Sequence, residues 1–301
     1  MLTNDDGTRR TWLRPVLSST EHAAGRQRGE LFERSGWVIQ PDRRLGQVLA
    51  GRPPGVTTRQ WSVATRSRLD FVVCGVPDYH PAFVVVFVDP AARSPQQLRD
   101  ERMTDAVCEA VGLELLRIES SALSMARSGR RVVEYLLDAR AFQRIGGGGS
   151  AADTAGSVSY RDIIGRLPDG RTGYVNDLGA VARTRAVEAF VSRQLTDPLL
   201  RSLHVRWNDG CAEGWAWLAV RDGQFLFERV RIWPHRLQCG IAPERFAEDL
   251  AAAGVGEWLK MLEVGEPQLR QRRDLNDELG ELRSRRAEMS GVFAFDHVSF
   301  S

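Results

Sequence analysis

Arg68-Leu69-Asp70-Phe71-Val72-Val73-Cys74 and Pro81-Ala82-Phe83-Val84-Val85-Val86-Phe87-Val88-Asp89 are the stretches on which the reading of the fold turns. The second is a continuous apolar run that closes on an acid, suited to a central strand buried on both faces. The first reads as a neighbouring strand. Downstream, Leu98, Met103, Val107, Cys108 and Val111 recur at helical spacing within Pro95 to Val111. Gly112 stands where a helix C-cap belongs, before a further strand from Leu113 to Ile118. Upstream, Glu21 to Arg34 reads as a helix, Trp37 to Ile39 as a short strand, and Pro41-Asp42 as the start of a helical turn through Leu45, Val48 and Leu49. Gln60 to Ala64 is expected to pair as a strand with Leu69 to Cys74, and a helix from Arg131 to Phe142 to close the domain. The class is α/β, a mixed sheet flanked by helices.

The chain has 301 residues, enough for two domains of ordinary size. With 43% hydrophobic and 27% charged residues it is a globular sequence, which excludes collagen-like, coiled-coil-only and wholly disordered chains. A formal charge of +2 is too small for a protein that coats nucleic acid by charge alone. The charge is unevenly spread: residues 1–145 hold 21 Arg against 17 Asp and Glu, so phosphate contacts are expected in this half. Lys260 is the one lysine. Cys74, Cys108, Cys211 and Cys239 form no C-x-x-C pair and read as buried thiols. The longest apolar run, Ala82 to Val88, is far below the roughly 20 residues that span a bilayer, so a cytoplasmic protein without membrane contact is expected.

Gly146-Gly147-Gly148-Gly149-Ser150 opens a small, polar stretch without periodicity, read as a linker over 146–159 between a domain at 1–145 and a second, α+β domain at 160–301. In the second domain a helix is expected over Gly179 to Gln194, followed by strands at Leu203 to Trp207, Trp215 to Val220 and Gln224 to Ile232. The last two join through Arg221-Asp222-Gly223 as a hairpin. Pro243 to Leu262 returns to helix, with a break expected near Gly254 and Gly256. Trp215 and Trp217 share one strand face and read as core. Leu275, Leu279, Leu282 and Met289 mark a seam in a charged helix over 267–289, after which an aromatic tail runs from Val292 to Ser301. Helix or tail is the expected contact for a protein partner.

The order of these segments carries the chemistry. Asp70 lies on one strand, the apolar strand to Asp89 lies beside it, and Arg99-Asp100 belongs to a helix leading to Leu115-Leu116-Arg117-Ile118. From about Glu30 to Ile118 this order resembles a bacterial family of unknown function within the restriction-endonuclease-like (PD-D/E-x-K) superfamily. The resemblance implies a divalent cation, Mg²⁺, held by two acids on neighbouring strands, where it polarises a phosphodiester and activates water. By position Asp70 matches the first acid and metal ligand. The second falls near Val86 or Phe87, where this chain is apolar, and only Asp89 remains of an acidic cluster. The lysine that stabilises developing charge is absent, and Thr104 stands where the family often has lysine.

Arg cannot replace lysine as a base, but it clamps phosphate well. The expectation is therefore a nuclease fold without cleavage and without a cofactor. It binds DNA through Arg68, Arg99 and Arg102, or a protein partner in a nucleic-acid-processing or defence assembly. The rival is an active Mg²⁺-dependent nuclease with Asp70 and Asp89 as catalytic acids, aided by Glu30 or Asp100. A third reading is an adaptor that meets no nucleic acid. For Asp70 the alternative to a metal role is an ion pair with Arg68 or Arg117 at a sheet end. Cys211, Cys239 and His235 form a weak zinc combination.

Overall fold

The computed structural model describes residues 11–125, 129–145, 160–166, 172–233, 241–264 and 269–292. The linker 146–159, His235, Cys239 and the tail beyond residue 292 lie outside the described residues. The chain divides into two compact units, Met1–Arg117 with Gly129–Asp138, and Ile118–Ser128 with Ala139–Ser301.

The sheet of the first unit has the order β1 (Phe32–Arg34), β2 (Trp37–Arg44), β3 (Arg68–Gly75), β4 (Pro81–Val88) and β5 (Glu114–Glu119). The ladders from β1 to β4 are antiparallel. A helix crossover joins β4 to β5, the connection that neighbouring parallel strands require. Helices α1 (Ser19–Gln27), α2 (Thr58–Ala64) and α3 (Pro95–Ala110) flank the sheet. Each starts on a capping box, Ser18 with Glu21, Thr57 with Gln60, and Ser94 with Gln97. The main core lies on one sheet face, where Leu69, Val72, Cys74 and Val84 meet Val107 and Cys108 of α3 and Leu45 and Val48 from the segment before α2.

Three local expectations are corrected. The first helix ends at Gln27 rather than Arg34, because the chain reverses at Gly29 in the left-handed region (φ +69°) and returns as β1. Residues Pro41 to Arg44 continue strand β2, with only a single 3-10 turn at Leu45–Gln47. The β1 ladder stops at Ile39, so Pro41, which has no N–H, lies beyond it, on a side of β2 that carries no further ladder among the described residues. Gln60–Ala64 is part of α2 and not a strand: the reciprocal bonds of Thr57 and Gln60 fix a helix start that outweighs Val63 and Trp61.

In the second unit the order is β5, β10 (Gln224–Ile232), β9 (Ala212–Arg221), β8 (Arg201–Trp207) and β12 (Met289–Val292), with β11 (Arg270–Gln271) also against β10. Ile118 and Glu119, the last residues of β5, pair with Ile232 and Arg231. β6 (Ile164–Arg166) and β7 (Thr172–Tyr174) form a separate hairpin. The helices are α4 (Ser121–Met125), α5 (Gly129–Ile145, which also contributes to the first unit), α6 (Ala180–Val191), α7 (Pro243–Val264) and α8 (Arg272–Ser284). The expected core is present: Trp207, Trp215 and Trp217 lie beneath Leu275, Leu279 and Leu282 of α8. The charged helix occupies 272–284 of the expected 267–289.

The expected break in α7 does not occur. Its glycines are places of close approach, since a Cβ on Gly254 would stand 2.6 Å from Glu228 Cγ and one on Gly256 2.7 Å from Ala182 Cβ. Gly214 of β9 is tighter still, with an added Cβ 2.1 Å from the Ala247 carbonyl of α7. Overpacking against backbone has no flexible side chain to yield, so Gly214→Ala is expected to destabilise the second unit by ~3 kcal/mol. Urea unfolding followed by tryptophan fluorescence measures this; a loss below ~0.5 kcal/mol refutes the close approach.

Candidate functional site

Asp70 stands one residue before the Phe71–Val85 pair of the β3–β4 ladder, so continuing that register sets it opposite Val86. Its carboxylate is half-buried, and Oδ2 accepts the main-chain N–H of Phe87 at 2.7 Å. The Phe87 ring packs edge to face on Phe71, 6.4 Å between centroids, and a Cβ on Gly129 would touch both rings. Burial is the largest influence on Asp70 and raises its pKa above the ordinary 3.8, against the lowering effects of the Phe87 N–H and of Arg68.

Beside it, the end of β4 and the face of α3 enclose a cleft of about 390 Å³. Val86 and Val88 line it, together with Ser67, Arg68, Asp89, Arg93, Gln97, Asp100, Glu101, Thr104 and Arg117. Its charges are chained together. Arg93 pairs with Glu101, and Arg117 reaches the same carboxylate at 3.8 Å while donating from Nη1 to both oxygens of Asp105, at 2.7 and 2.8 Å. Thr104 is buried; its hydroxyl lies 2.8 Å from Ser67 Oγ and donates to the Asp100 carbonyl at 2.9 Å.

The structure brings the sequence-derived candidates only partly together. Arg68 and Asp89 line the cleft, and Asp70 adjoins its floor at Val86. Asp89 Oδ1 accepts Ala91 N–H at 3.0 Å and so caps the turn after β4. Arg68 pairs at 2.7 Å with Asp42, both exposed. Arg99 donates to Gln96 Oε1, and Arg102 to the Leu98 carbonyl, on the exposed side of α3. Glu30, an auxiliary acid in the rival reading, pairs with Arg28 on the surface. Among the described residues no group of three His, Cys, Asp or Glu side chains is arranged to hold a metal ion. Lys260 lies in α7 of the second unit, paired with Glu257. Also among the described residues, no helix is long and apolar enough to cross a membrane.

The chain of charges from Arg93 through Glu101 and Arg117 to Asp105 has no counterpart among the sequence-derived candidates. Arg68 and Arg117, the expected partners of Asp70, make their ion pairs with Asp42 and Asp105 instead. The available signal is spacing: Glu101 and Asp105 are four apart on one helical face.

Residues 15–136 match the model of a family described as a protein of unknown function (DUF2726). The match spans the sheet of the first unit and the whole cleft. No curated protein and no solved structure matches the chain.

Because the folded pKa of Asp70 is raised, its ionised form weakens the fold above the ordinary carboxylate range, and that penalty vanishes once pH falls below 3.8 and both states are protonated. Asp70→Asn retains an acceptor for Phe87 N–H and is expected to be more stable than wild type at pH 7, with the gap closing toward pH 3.8. Denaturant midpoints at the two pH values test this, and a destabilised Asn variant at pH 7 contradicts it.

Proposed function

We propose that residues 15–136 form a restriction-endonuclease-like domain that holds DNA without cutting it. The observation that carries this reading is the residue opposite Asp70. A nuclease of this kind needs a second carboxylate there, because one acid alone does not neutralise and orient a divalent cation. This chain supplies Val86 there, with Val88 two residues on along β4, and on α3 Thr104 stands where the family often has lysine. Both valines line the cleft, so its floor is hydrocarbon, and Asp70 is engaged by a main-chain N–H. The residues present do not fit a two-acid cation site.

Support for a polyanion comes from the surface around the cleft. Arg59 and Arg66 lie on and just after α2, Arg68 opens β3, and Arg99 and Arg102 project from α3, which packs on α2; all five are exposed. Their partners are easily given up: Arg66 and Arg102 bond main-chain carbonyls one turn back, Arg99 a glutamine, and Arg68 an exposed aspartate. Surface ion pairs of that kind are worth ~0–1 kcal/mol, whereas each phosphate neutralised releases a counterion.

The test is incubation of the full chain with labelled duplex DNA in Mg²⁺ or Mn²⁺, scoring retardation and cleavage together. Retardation without cleavage is expected. The triple variant Arg68→Ala, Arg99→Ala, Arg102→Ala should weaken binding and flatten the log K against log salt slope by ~0.9 for each phosphate left without its arginine. Cleavage that disappears in Asp70→Ala overturns the non-cutting reading, and the absence of retardation overturns DNA as the partner.

A further inference from the structure

The β6–β7 hairpin of the second unit is tied on its entering side to one buried carboxylate, and a second buried carboxylate stands just past its leaving side. On the entering side, Arg161, in the 3-10 turn Tyr160–Asp162, donates Nε to Asp249 Oδ2 at 2.7 Å. Asn176 Nδ2, just past β7, bonds the Tyr160 carbonyl at 3.0 Å and draws the two ends together. On the leaving side, Asp177 is buried and exerts its like charge on Asp249. Asp249 itself, on α7, has no exposed surface, and its Oδ1 has no hydrogen-bond partner among the described residues.

The groups around it come from the hairpin's ends, α6, α7 and β8, and the compensation is unequal. Asp177 accepts Gly179 N–H at 2.7 Å through Oδ1 and pairs through Oδ2 with Arg183 of α6. Glu248, next to Asp249 on α7, accepts Ser202 Oγ at 2.6 Å and meets His204 Nδ1 at 2.5 Å, both on β8. Among the described residues Asp249 is paired with Arg161 alone, and that guanidinium also faces Asp177 and Glu248. Neighbouring buried carboxylates cannot all ionise cheaply, so the one with the fewest donors holds a proton.

We propose that Asp249 is a proton-operated clasp on the β6–β7 hairpin: protonated, it stays buried against Arg161 on the hairpin's entering side, and ionised, it favours an arrangement in which that side comes away from α7 and water reaches the carboxylate. Burial foremost, with Asp177 adding to it and Arg161 opposing, pushes the Asp249 carboxyl up to about 8. An opened form returns it toward the ordinary 3.8. The closed form thus binds more protons, and opening becomes easier as pH rises toward about 8, with no further change above.

Hydrogen exchange of the full chain, read by mass spectrometry and corrected for intrinsic rates, tests the clasp between about pH 5.5 and pH 8.5. Protection in Ile164–Arg166 and Thr172–Val175 is expected to fall by about tenfold or more over that range. Protection in β9 should hold. Asp249→Asn, a permanent stand-in for the protonated acid, should keep the hairpin protected at every pH, and Asp177→Asn should flatten the fall. A flat wild-type profile, an Asp249→Asn variant that follows wild type, or β9 losing protection in step with the hairpin overturns the proposal. Should Asp249→Asn fail to fold, a carboxyl carbon NMR titration of the wild-type chain decides, with a midpoint for Asp249 near its ordinary value counting against the clasp.

Discussion

A carboxylate taken out of water costs several kcal/mol unless donors replace the lost hydration, and the second unit is organised around places where they do. Glu228, buried on β10, accepts Ser120 Oγ at 2.6 Å, Ala122 N–H at 3.3 Å and Trp258 Nε1 at 2.6 Å. Strand β10, the start of α4 and helix α7 are fastened together by that one side chain, and Gly254 lets α7 come close enough to supply the indole. Glu213 does the same on the other face of the sheet. It accepts the indole N–H groups of Trp207 and Trp215 and pairs with Arg229 and Arg231. The tryptophans are therefore oriented by an acid as well as packed by the leucines of α8, and Arg229 lies over the Trp215 ring at 5.1 Å.

The same cost shapes the cleft of the first unit. A second acid opposite Asp70 would set two carboxylates together and would need a cation to hold them. Valine at 86 removes that requirement and joins the apolar face built by Leu69, Val72 and Val84. Opposite this floor, Arg93, Glu101, Arg117 and Asp105 neutralise one another along the wall. The charges of that wall are thus balanced within the first unit.

Much of what rests on periodicity or on a local turn is legible in the sequence. The apolar run to Val88 is a strand, Asp222-Gly223 turns a hairpin with Gly223 at φ +70°, and Trp215 and Trp217 alternate into the core. The strand expected at Gln60–Ala64 fails because it weighs apolar residues alone, although the Thr57-x-x-Gln60 capping box stands in the sequence. The α7 glycines mislead for a different reason: glycine weakens a helix, but it also permits contact, and only the partner, Glu228 or Ala182, decides which role it has. Nothing local announces the ion pair between Arg161 and Asp249, 88 residues apart. Long-range polar pairing leaves no period in the sequence.

Comparing the buried acids separates those that serve only the fold from the one with work left to do. Glu228 and Glu213 are met by donors on both oxygens, an arrangement that fixes neighbouring elements and gains nothing from changing. Asp249 is as deeply buried, yet one oxygen is unmet among the described residues and a second carboxylate stands near it. A side chain shaped only by stability at that position would be apolar or would carry a second donor, since each unmet buried group costs ~1–3 kcal/mol. What the acid provides, and a leucine would not, is a closed state whose free energy depends on a proton, located at the junction of a hairpin that, among the described residues, makes no ladder with the main sheet.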